Sequence, residues 1–115
     1  MAKLDARDIS ACRQILHYSV DRDAGKLRSL PNVEFVFDVN EFVRHLDDYG
    51  VAFGYPPENF DIFLQATSGE SLEGGIGLDL PIWGEGVDPT EVEIDIWIDI
   101  SVDPHRIFVK GHRIP

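Results

Sequence analysis

The chain has a single cysteine, a single methionine and few basic side chains among its 115 residues. The lone Cys12 cannot close an internal disulfide, which excludes a disulfide-stapled mini-domain and fits a reducing cytoplasm. No apolar run approaches the ~20 residues needed to span a membrane as a helix. The opening Met1-Ala2-Lys3-Leu4-Asp5 is charged and lacks the apolar stretch of a signal peptide. Ten Lys and Arg face 21 Asp and Glu, a net charge of −11. The imbalance is local: residues 31–103 hold seventeen acids and one base, Arg44. Such a field repels phosphate backbones, so nucleic acid is excluded as a partner. It would speed encounter with a basic protein. The plainer reading of the same charge is solubility.

Catalytic and ligand-binding patterns are also missing. His17, His45, His105 and His112 share no ligand spacing, and one cysteine cannot build a thiolate site, so no metal is expected. Asp47-Asp48 and Asp21-x-Asp23 lack the calcium-loop pattern. Ser68 and Ser71 sit in a polar loop without a nucleophile elbow. Gly74-Gly75-x-Gly77 precedes a strand rather than a helix, so it makes no phosphate cradle. Cys12 falls on an apolar helical face, where a thiol is buried and inert. No cofactor is expected and no catalytic residue is assigned. Tyr49, Tyr55, Asp79 and His112 are candidate linings for a cavity between sheet and helices.

What is present suits one globular domain over residues 1–115. Hydrophobic content is 43%, and a chain of this length can bury about two thirds of its unfolded surface. From Asp5 to Val20, Ile9, Cys12, Leu16 and Val20 recur at helical spacing. Asp21 to Leu30 reads as a shorter helical piece ended by Pro31. Asp38-Val39-Asn40-Glu41 is a capping box, and Val39, Phe42, Val43, Leu46 and Tyr49 line one helical face up to Gly50. Val33 to Phe37 reads as a short strand or an extended lead-in. Strands are expected at Val51–Tyr55, Phe60–Ala66, Ile76–Ile82 and Arg106–His112. Pro81 marks an edge or a bulge.

The strongest pattern is Glu91 to Asp103, E-V-E-I-D-I-W-I-D-I-S-V-D, an unbroken period of two. Val92, Ile94, Ile96, Ile98, Ile100 and Val102 share one face; Glu91, Glu93, Asp95, Trp97 and Asp99 share the other. Same-face neighbours on a strand are ~6.6–6.8 Å apart, so the carboxylates repel unless cations answer them. Arg106 and Lys110 on the next strand would be the internal answer. A partner's Lys and Arg would be the external one, with Trp97 as anchor, because aromatic residues dominate binding hot spots. Trp83 is expected to pack.

The order of elements predicts an α+β fold: N-terminal helices packed on one face of a curved antiparallel β-meander, a cystatin-like or NTF2-like layout. From Phe42 onward the chain resembles a small uncharacterised bacterial domain family. The matching pieces are Asp48-Tyr49-Gly50, Tyr55-Pro56-Pro57-Glu58, Leu80-Pro81-Ile82-Trp83, the acidic strand from Glu91 and the closing strand with His112. It departs from the family after Trp83, where Gly84-Glu85-Gly86-Val87-Asp88 stands in place of a polar Glu-Gly-Arg-Ser-Asp stretch. The resemblance carries no site residues. In character the chain is similar to immunity proteins of bacterial toxin systems, which implies a cytoplasmic inhibitor of a basic toxin or nuclease. A small-ligand protein or enzyme of NTF2-like type, and a homodimeric accessory subunit paired through the exposed sheet, are the alternatives.

Overall fold

The computed structural model describes residues 4–67, 71–72, 74–86 and 88–115. Its elements run α1 (Ala6–Val20), α2 (Ala24–Arg28), β1 (Val33–Phe35), α3 (Val39–Tyr49), β2 (Phe53–Gly54), α4 (Phe60–Thr67), β3 (Ser71–Leu72), β4 (Gly75–Gly84), β5 (Pro89–Asp99) and β6 (Arg106–Arg113). The helices pack against a curved sheet, an α+β architecture.

Local chemistry fixes the helix ends. Asp5 caps α1 through a reciprocal box: its side chain accepts from the Asp8 N–H, and the Asp8 side chain accepts from the Asp5 N–H. Asp38 caps α3 by accepting from the Asn40 and Glu41 N–H groups. Gly50 closes α3 at φ 76°, a left-handed conformation that glycine adopts without steric cost.

The sheet order is β1-β6-β5-β4-β2, with β3 also paired to β4. β4, β5 and β6 form the expected antiparallel meander. β1 joins its edge in parallel, with Val33 opposite Ile107 and Phe35 opposite Val109. The sheet is therefore mixed, and β1 covers an edge of β6 that a bare meander would expose. One face of β5 is fully buried: Val92, Ile94, Ile96 and Ile98 join Leu16, Phe42 and Leu46 in one core cluster. Cys12 is in the same cluster, and burial pushes its thiol up to about 12.

Three expectations need correction. Phe60–Thr67 is a helix, not a strand. Phe60 and Leu64 are both buried, one helical turn apart, and an apolar-rich segment of seven residues does not separate the two periods by itself. The long strand ends at Asp99 rather than Asp103, and Val102 is exposed beyond it. The strand expected at Val51–Tyr55 contracts to Phe53–Gly54, because the chain turns into Pro56-Pro57. Pro81 does lie at a register shift, between Pro81 and Trp83. Trp83 is buried, with its ring edge-on to Phe60.

Candidate functional site

The face of β5 that carries the acids looks away from the helices, and cross-strand register sets its neighbours. Trp97 stands between Gly77 of β4 and Phe108 of β6, and Phe108 stands beside Glu34 of β1. This aromatic band crosses the sheet. Asp99 lies on one side of it, between Gly75 and Arg106. On the other side come Asp95, between Asp79 and Gly111, and then Glu93, between Pro81 and Arg113.

Trp97 is half-buried, and the cause is local. A Cβ on Gly75 would meet Cζ2 of the indole at 1.9 Å, and one on Gly77 would meet Cε3 at 3.5 Å. The two glycines thus leave a flat bed on which the indole rests. Arg106 stacks over Phe108 at 5.4 Å and reaches Glu34 at 3.8 Å.

The cations answer the ladder unevenly. Arg113 reaches Glu93 at 3.3 Å. Lys110 does not serve: the register passes from Asp95–Gly111 to Ile96–Val109, so Lys110 is the extra residue of a bulge and has no ion pair among the described residues. Asp99 is turned inward on its own chain. The Ser101 hydroxyl and N–H donate to its Oδ1 at 2.6 and 2.9 Å and hold its carboxyl below the ordinary range, with Arg106 assisting. Asp95 faces another carboxylate, Asp79, and has no cation among the described residues. Glu91 is exposed near the start of β5, opposite the irregularity in β4. Of the five residues expected to bind a partner, Glu93, Asp95 and Trp97 form one patch with Asp79; Asp99 is engaged locally and Glu91 stands apart.

The four residues considered as cavity linings do not converge. Tyr49 and His112 flank a shallow cleft with His45 and Asp48, and His112 also borders a second small cleft with Asp79, Glu93, Asp95 and Arg113. Tyr55 stacks on His17 and donates to Asp21, which raises its pKa. His112 packs against Phe37 and Phe42, and its Nδ1 has no hydrogen-bond partner among the described residues. Ser68 lies outside the described residues.

Sequence reasoning missed one constellation. His105, just before β6, brings Nδ1 to 2.9 Å from Asp8 and 3.5 Å from Asp5. The ligand atoms of these three residues lie within 4.8 Å of one another, close enough to hold a metal ion. Burial alone would raise the pKa of Asp5; the Asp8 N–H, His105 and Arg7 together hold it below the ordinary value. The capping box and the histidine already occupy these carboxylates, so the arrangement stands without an ion. Ninety-seven residues separate Asp8 from His105, and no spacing rule spans such a gap.

No known family matches the chain, and neither a curated protein nor a solved structure matches it. Among the described residues no helix is long and apolar enough to cross a membrane.

Proposed function

We propose that this chain is an acidic, cytoplasmic binding protein of immunity-like character, an inhibitor that docks on a basic surface of a toxin or nuclease. The docking surface is the outer face of the sheet around Trp97, Glu93 and Asp95. The observation that carries the reading is the pairing of Asp79 with Asp95 beside the half-exposed indole. Like charges set directly opposite cost stability, and nothing among the described residues relieves them. A partner's Lys or Arg would relieve them, with the indole as an apolar anchor. The excess of acid in residues 31–103 supplies long-range attraction toward such a partner. The single buried thiol suits a reducing compartment.

The test is surface plasmon resonance against a panel of basic nuclease domains, from about 50 to 500 mM salt. One member should bind with association that slows steeply as salt rises. Trp97→Ala should raise its off-rate, and Glu93→Lys with Asp95→Lys should slow its on-rate. A partner whose binding ignores salt and all three changes would remove this face from consideration.

A further inference from the structure

On the helix-covered side of the sheet, a cleft of about 330 Å³ separates the N-terminal half of α1 from the turn before β6. Asp8 and His105 are part of its wall. Asp8 is only 1% exposed, and an aspartate is almost never buried so fully unless it is paired. Its carboxylate accepts from the Asp5 N–H at 3.0 Å and from His105 Nδ1 at 2.9 and 3.1 Å. A carboxylate only accepts, so Nδ1 carries the proton. Nε2 has no protein partner among the described residues; it accepts in the neutral ring and donates in the imidazolium. Asp8 thus fixes both the tautomer and the orientation of a ring on the edge of a cavity, as a buried orienting carboxylate does elsewhere.

The remaining wall decides the ligand class. Ala11, Leu30, Pro31 and Ile107 line the cleft with apolar surface. An apolar cavity of about 150 Å³ already takes a benzene ring, so this one has room for a ring with a short substituent. Asp5 and Asp8 both stand within 3.5 Å of the imidazole, and the one cation in the wall, Arg7, already reaches Asp5 at 3.6 Å and Asp103 at 3.3 Å, so an anionic head is disfavoured. A hydroxyl both donates and accepts, so it matches Nε2 in either charge state of the ring, while its carbon skeleton covers the apolar wall. We propose that this cleft binds a small, largely apolar molecule through a hydroxyl head seated on Nε2 of His105.

Benzyl alcohol, toluene and benzoate are suitable probes, titrated into isotope-labelled full-length protein. Benzyl alcohol should saturably shift the amides of Ala11 and Ile107 and the Nε2 signal of His105. Toluene, which lacks the head, and benzoate, which is charged, should each bind at least about tenfold more weakly. Ala11→Leu narrows the cleft and should abolish the shifts while the dyad stays. His105→Gln keeps an N–H donor for Asp8 but removes Nε2, and should reduce benzyl alcohol binding to the level of toluene. The absence of saturable shifts would overturn the proposal. So would equal binding of all three probes, or wild-type binding by folded Ala11→Leu and His105→Gln.

Discussion

Trp97 lies across Gly75 so closely that a Cβ on the glycine would stand 1.9 Å from the indole. The absence of one methyl group on β4 therefore holds the aromatic anchor of β5 flat on the sheet. Gly75→Ala should push the ring off this bed and cost about 1–3 kcal/mol, as overpacking does. Gly77→Ala, whose Cβ would stand in ordinary contact at 3.5 Å, should cost far less. Denaturant unfolding separates the two, and a red-shifted tryptophan emission should accompany Gly75→Ala alone. Equal stability of both variants would show that the indole does not need its bed.

The carboxylates of the same face should respond in opposite directions. Asp95→Lys replaces a like-charge pair with Asp79 by an attractive one and should leave the melting temperature unchanged or raise it. Glu93→Lys removes the bridge to Arg113, an exposed contact, and should lower stability by about 0.2–1 kcal/mol. Thermal melts at low and high salt check both, and the contrast should shrink as salt rises. A clear loss of stability in Asp95→Lys would mean that some cation already neutralises this carboxylate.

Ile96 lies at the middle of the buried face of β5, with no exposed surface. Ile96→Ala should cost about 2–5 kcal/mol, the range for deleting a packed aliphatic side chain. Urea unfolding measures it. A loss below about 1 kcal/mol would contradict a fully packed Ile96.

The parts of this fold legible in the sequence are those with a repeating signal. Alternation from Val92 to Ile98 gave both faces of β5, and the spacing of Phe42 and Leu46, with Asp38 and Gly50 at the ends, gave α3. Phe60–Ala66 reads as a strand and folds as a helix because a short apolar segment fits either period. Lys110 was misplaced because a bulge is invisible to alternation and shifts a side chain out of register. Val33–Phe37 reads as a strand or extended lead-in, but its parallel pairing with β6 is not legible, because the partner lies more than seventy residues away in the sequence. The pairing of Asp8 with His105 was hidden for the same reason. Its only trace was Asp8 in the first turn of α1, which capping alone explains.

His112 makes stability sensitive to mild acid. Burial beside Phe37 and Phe42 lowers its pKa below the ordinary 6.5, and the nearby His45 adds to this, while Glu41 acts in the opposite sense. The unfolded chain therefore binds this proton more readily than the folded one. Stability from this group is fully present above the ordinary value and is lost as pH falls below it, through the lowered folded value. Replacing the ring by an apolar one of similar shape removes the titration and also the buried Nδ1 that has no partner among the described residues. His112→Phe should accordingly melt at least as high as the parent near neutral pH and fall less as the buffer is brought to about pH 5. His17, His45 and His105 are present in both proteins, so the difference between the two melting curves reports the removal of His112. Parallel curves for parent and variant would show that His112 is protonated in the folded state as readily as in the unfolded one.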